Sequence, residues 1–140
     1  MRNIVVGNWK LYVNSLPEGK KLLSGIDKKF PRGIKAEVAV CPQVPLAALL
    51  KAGYGGRRIA FGTQDVSVDA EGAHTGSVSA LALKSSGLEY VIVGHAEMHA
   101  VGDTDETVAK KTAAALAAKL HPIICVGELS RHEEGAHFAV

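Results

Sequence analysis

The sequence predicts an α/β protein in which a parallel sheet is covered by helices. Short β-branched apolar runs alternate with longer helical stretches five times over. The strand runs are continuously apolar rather than alternating, as strands buried on both faces are. Polar side chains collect just after those runs: Asn8 and Lys10, Gln64, His95 and Glu97, and Glu128. In parallel α/β folds that is the end where ligands bind.

The elements follow in order. Ile4–Gly7 reads as the first strand. Pro17–Phe30 is helical, with Leu22, Leu23 and Ile26 forming an apolar stripe, and Pro31 and Gly33 break it. Val38–Cys41 is the second strand. Pro45 suits the first turn of a helix that runs to about Lys51. Gly53, Gly55 and Gly56 turn the chain into the third strand, Ile59–Gly62. A polar loop from Thr63 to Gly76 follows, of a length usually associated with function. Ser77–Ser86 is the third helix, closed by Gly87. Tyr90–Val93 is the fourth strand and runs into Gly94 and His95. Asp103, Thr104, Asp105 and Glu106 offer caps and acidic first-turn residues for an alanine-rich helix over Glu106–Leu120. Pro122 ends that stretch, Ile123–Val126 is the fifth strand, and a fifth helix begins within His132–Val140.

Composition narrows the function classes. The chain has 140 residues, 47% hydrophobic and 21% charged, with a net charge of +2. Such a chain can bury about two-thirds of its unfolded surface, enough for one core and too little for two ordinary domains. Residues 1–140 are therefore expected to form a single domain. The basic pairs Lys20-Lys21, Lys28-Lys29, Arg57-Arg58 and Lys110-Lys111 are scattered, which argues against nucleic-acid binding. No apolar run approaches the ~20 residues of a membrane span. Cys41 and Cys125 read as reduced thiols, and the expected compartment is the cytoplasm. His95, Glu97 and His99 do not match the zinc-protease spacing H-E-x-x-H, so neither a metal nor a cofactor is expected. His74, His121, His132 and His137 read as loop or surface residues. With no G-x-G-x-x-G after the first strand, a dinucleotide site is disfavoured, but a doubly wound sheet and part of a barrel both remain open.

Gly7-Asn8-Trp9-Lys10 after the first strand resembles the opening signature of the triosephosphate isomerases. Gly72-Ala73-His74-Thr75-Gly76 followed by Val78-Ser79, the stretch Tyr90 to Glu97, and Cys125-Val126-Gly127-Glu128 match that family in order and spacing. The resemblance covers essentially the whole chain. It implies an incomplete (β/α)8 barrel of about five parallel strands with helices outside. It also implies interconversion of dihydroxyacetone phosphate and glyceraldehyde 3-phosphate through an enediolate, a step of glycolysis. A carboxylate base moves the proton, an uncharged imidazole polarises the carbonyl, and a lysine offsets the anionic charge. The uncharged imidazole is known of the family and is not read from this sequence. The resemblance makes His95 the electrophile, Lys10 the electrostatic residue, Asn8 a ligand of substrate oxygens and Glu97 the carboxylate beside the lysine. A short helix opening after His95 would favour its uncharged ring. Gln64 and Thr75 fall at an interface between subunits.

A full barrel of this kind has eight strands and about 250 residues, so the resemblance implies that the domain continues past Val140. The family's catalytic glutamate follows the sixth strand and falls on no residue present. The closing lid and most phosphate-binding amides belong to the last three units. Weak or absent turnover by the chain alone is expected. The histidine loop also departs from the family: Ala96, Met98 and His99 replace a serine and two arginines, and Ser77 replaces a glutamate. Five strands cannot close an eight-strand barrel, so the first and fifth become open edges. A homo-oligomer or a complementing chain is expected to cover them. The alternatives are a non-catalytic scaffold derived from the barrel and one half of a split enzyme.

Overall fold

The computed structural model describes residues 3–31, 33 and 35–127. Glu128 and the helix expected within His132–Val140, with His132 and His137, lie outside the described residues. Strands β1 (Asn3–Asn8), β2 (Ala36–Cys41), β3 (Ile59–Thr63), β4 (Tyr90–Val93) and β5 (His121–Ile124) alternate with helices α1 (Leu16–Lys29), α2 (Val44–Gly53), α3 (Ala80–Ser85), the short α4 (Ala96–His99) and α5 (Asp105–Ala117).

The strand order decides between the two open architectures. All neighbouring pairs are parallel and the order is β1-β2-β3-β4-β5, with no reversal. A doubly wound sheet must reverse its strand order at the switch point. A barrel winds one way only. The strands are also staggered: β2 pairs with β3 from Ile59, whereas β4 enters opposite Gly62. That shear tilts the strands and curls the sheet into a half-barrel with helices outside.

The core lies between sheet and helices. Val40, Ile59, Phe61, Val91 and Val93 meet Leu23, Ala47, Leu50, Ala80, Leu83 and Ala115 there. The intervening strand residues Ala39, Cys41, Ala60 and Ile92 are also buried but stand outside that cluster, on the concave face. Most of the residues there are small because space is short. A Cβ on Gly62 would lie 2.7 Å from the Tyr90 carbonyl oxygen and 3.0 Å from Cys41 Sγ. Burial pushes the Cys41 thiol up to about 12, so it stays protonated and inert at neutral pH.

Local chemistry sets the helix ends. Ser15 Oγ caps α1 by accepting from the Glu18 N–H at 3.4 Å, while the Glu18 carboxylate accepts from the Asn14 N–H at 3.3 Å. Most boundaries shift by a residue or two from the sequence expectation, and three shifts have a clear local cause. Helix α3 starts at Ala80 rather than Ser77, because Ser79 is its cap and the Ser67 N–H ties to the Val78 carbonyl at 2.9 Å. Helix α5 is capped by Thr104, one of the caps the sequence offers, whose Oγ1 accepts from the Thr107 N–H at 3.2 Å; it ends at Ala117 rather than Leu120, because Lys119 turns the chain at a φ of +60°.

The third difference is β5, which occupies His121–Ile124 rather than Ile123–Val126 and so contains Pro122. The N–H groups of His121 and Cys125 bond to the Glu89 and Val93 carbonyls of the β4 side. The Pro122 nitrogen therefore faces the open edge, where no ladder bond is lost. His121 is accordingly a strand residue, its ring 5.3 Å from that of Tyr90.

Candidate active site

The candidate residues meet at the C-terminal ends of β1, β3 and β4. The chain leaves β1 through Trp9, whose N–H bonds to the Cys41 carbonyl at 3.1 Å and whose ring is buried. Lys10 then turns the backbone through a φ of +47°, a left-handed conformation unusual for lysine. Two side chains hold that turn. Asn8 Oδ1 accepts from the Lys10 N–H, and Gln64 Nε2 donates both to the Lys10 carbonyl and to the Cys41 carbonyl, each bond 3.0 Å. Gln64, expected at an interface, thus also has a role inside the chain.

Gly94 brings the backbone off β4 at a φ of +70°, where a Cβ would stand 3.0 Å from Val108 Cγ1. His95 follows as the N-cap of α4. Its Nδ1 accepts from the Glu97 N–H at 3.2 Å. Ala96 has no hydroxyl for a cap, and the imidazole does that work instead. With Nδ1 accepting from the Glu97 N–H, Nε2 is the ring nitrogen left free of that bond to face a ligand.

Glu97 joins the two halves. Its Oε1 accepts from Lys10 Nζ at 2.7 Å, and its Oε2 lies 3.5 Å from His95 Nδ1. The Glu97 bond holds the Lys10 ammonium above the ordinary lysine value, and the Lys10 bond holds the Glu97 carboxyl below the ordinary carboxylate value. Glu97 is therefore fully ionised at neutral pH and is a poor proton acceptor. It holds the Lys10 ammonium on the side of the site where the imidazole stands. Thr75 sits apart, on the exposed loop between β3 and α3, beside Gly76 at a φ of +89°.

Sequence reasoning missed three charged groups next to this site. Lys111 of α5 is buried, and its Nζ reaches both Asp65 and Asp103. Lys110-Lys111 reads as one of the scattered basic pairs, and Asp103 as a candidate helix cap. A signal was nonetheless present. Val108, Lys111, Ala115 and Ala118 fall on one helical face, so Lys111 occupies a core position in an otherwise apolar stripe.

The family model described as triosephosphate isomerase matches residues 3–140. The chain belongs to the triosephosphate isomerase family. It is 43% identical to a triosephosphate isomerase of Cupriavidus necator over 99% of this chain and 56% of that protein. It is 44% identical to one of Thiobacillus denitrificans over 96% of this chain and 53% of that protein. The crystal structure of triosephosphate isomerase from Bartonella henselae superposes with a TM-score of 0.79 at 34% identity, covering 91% of this chain and 53% of that one. The chain thus spans about half the length of the triosephosphate isomerases it matches. Within the family's histidine loop, His99 forms a bond of its own: its Nδ1 donates to the Asp103 carbonyl at 2.7 Å.

Proposed function

We propose that this chain carries the electrophile and cation half of a triose phosphate isomerase site. The observation that supports it most is Glu97, whose carboxylate meets Lys10 Nζ at 2.7 Å while its N–H donates to His95 Nδ1 at 3.2 Å, at the ligand-binding ends of the strands. In this reading His95 Nε2–H polarises the substrate carbonyl and passes protons between the two oxygens of the enediolate. Lys10 offsets the negative charge of the phosphate and of the transition state. Asn8 has committed its oxygen to the Lys10 N–H, so its Nδ2 donates to a substrate oxygen. Residues 1–140 act as one partial barrel domain, without cofactor or metal, in the cytoplasm. Among the described residues no helix is long and apolar enough to cross a membrane.

In this reading, as the family resemblance implies, the base is supplied by a segment other than residues 1–140. A general base alone is worth roughly 10²–10⁴ in rate. Purified chain is therefore expected to isomerise glyceraldehyde 3-phosphate at background rate. Co-expression with a chain carrying the three remaining strand–helix units is expected to restore turnover, and His95→Gln or Lys10→Ala to abolish it again. Restored turnover that survives both substitutions would end this reading.

Thr75 and Gln64 contribute to contact with a second copy. Support comes from Leu11 and Tyr12, which follow Lys10 and are 72% and 81% exposed. Apolar side chains this exposed beside a site mark a contact surface. A second reading, a scaffold without turnover, is favoured by the altered loop at Ala96, Met98 and His99. Complementation that restores the barrel's mass but no isomerisation would support it.

A further inference from the structure

Lys111 is the only charged residue among the described buried ones, and the chemistry above does not use it. Its side chain is 8% exposed. It makes four short contacts: 2.8 and 2.9 Å to the two oxygens of Asp65, and 3.0 and 2.7 Å to those of Asp103. An ammonium buried this deeply is expensive to desolvate, and one use that retains such groups is to specify geometry.

The two carboxylates belong to the two segments that form the site. Asp65 follows Gln64, whose amide holds the Lys10 carbonyl at 3.0 Å. Asp103 closes the α4 segment: its carbonyl accepts from His99 Nδ1 at 2.7 Å, and its N–H donates to the Met98 carbonyl at 3.0 Å. That segment carries His95 as its cap and Glu97 as the partner of the Lys10 ammonium. A closed circuit results: Lys10 to Gln64, Asp65, Lys111, Asp103, α4, Glu97 and back to Lys10. The left-handed turn at Lys10 needs such bracing, since an unfavourable backbone persists only where its surroundings over-determine it.

We propose that Lys111 is a positioning residue that clamps the loop after β3 to the α4 segment and thereby fixes Lys10 and His95 relative to each other. The purpose of that alignment rests on the isomerase reading, whereas the alignment itself can be measured without turnover. The test is NMR on the 140-residue chain, following the His95 ring nitrogens, the Lys10 side-chain titration and the Gln64 side-chain amide. Lys111→Met is expected to move all three sets of signals, with the Lys10 midpoint falling toward 10.5, its ordinary value. Lys111→Arg is expected to bring them most of the way back. Asp65→Asn, which weakens one arm only, is expected to move the Gln64 and Lys10 signals while circular dichroism stays unchanged. A Lys111→Met chain that melts earlier but keeps the His95 and Lys10 signals in place would show a purely structural ion pair and overturn the proposal. If Lys111→Met does not fold, Asp65→Asn decides: unmoved Gln64 and Lys10 signals overturn it equally. Since no turnover is read, failure of the isomerase assay leaves this result independent.

Discussion

Lys10 and Glu97 make opposite contributions to the pH dependence of the site. The Glu97 carboxyl is depressed by its bond to Lys10, so the stability it adds is fully present above the ordinary value of 4.5 and is lost as pH falls through the lowered one. The Lys10 ammonium is raised by its bond to Glu97, so its contribution is full below 10.5 and is lost as pH rises through the raised value. The pair is expected to be intact between those limits, and side-chain NMR titration reads both midpoints. Because both groups are solvent-exposed, about 0.5 M salt is expected to bring both midpoints back toward their ordinary values. Asn8, Lys10, His95 and Glu97 were legible because they lie within a few residues of a strand end, where local motif and site coincide. Lys111, Asp65 and Asp103 were not, because their meaning depends on contacts spanning 46 and 8 positions of the chain.

At the scale of elements, every strand was legible, since each is a short apolar run with a break after it. Boundaries failed where a cap or an edge overrode local preference. Ser79 took the start of α3, and the open side of β5 let Pro122 into the strand. Small residues on the concave face are a stability feature in their own right. Gly62→Ala would push a methyl group to 2.7 Å from a backbone oxygen that cannot rotate away. A loss of about 1–3 kcal/mol is expected for overpacking of this kind. Urea denaturation of the variant and its parent measures it, and an unchanged midpoint would show that β3 and β4 separate more easily than their pairing suggests.

At the scale of the molecule, one-way strand order leaves two edges unpaired among the described residues. Ile4 and Val5 on β1 are 41% and 57% exposed, and Ile124 on β5 is 49% exposed. Strands of an all-parallel sheet are ordinarily covered on both faces. We expect the 140-residue chain to associate through these edges and through the apolar loop at Leu11 and Tyr12. Light scattering is then expected to give a particle heavier than 14.7 kDa, and a stable particle of that mass would contradict the expectation. This openness could be expected from strand counting, whereas the one-way order needed the observed pairing.

Pro122 gives one of these margins a direction. The outward-facing nitrogen at the lower end of β5 has no hydrogen to offer, whereas that of Ile124, two residues higher, has one. A sixth strand settling alongside, whatever polypeptide supplies it, would find its first hydrogen-bond donor at Ile124 and none beneath. Attachment would then start at the rim nearest His95 and zip downward only weakly, so the imidazole's surroundings would be completed before the rest of the wall.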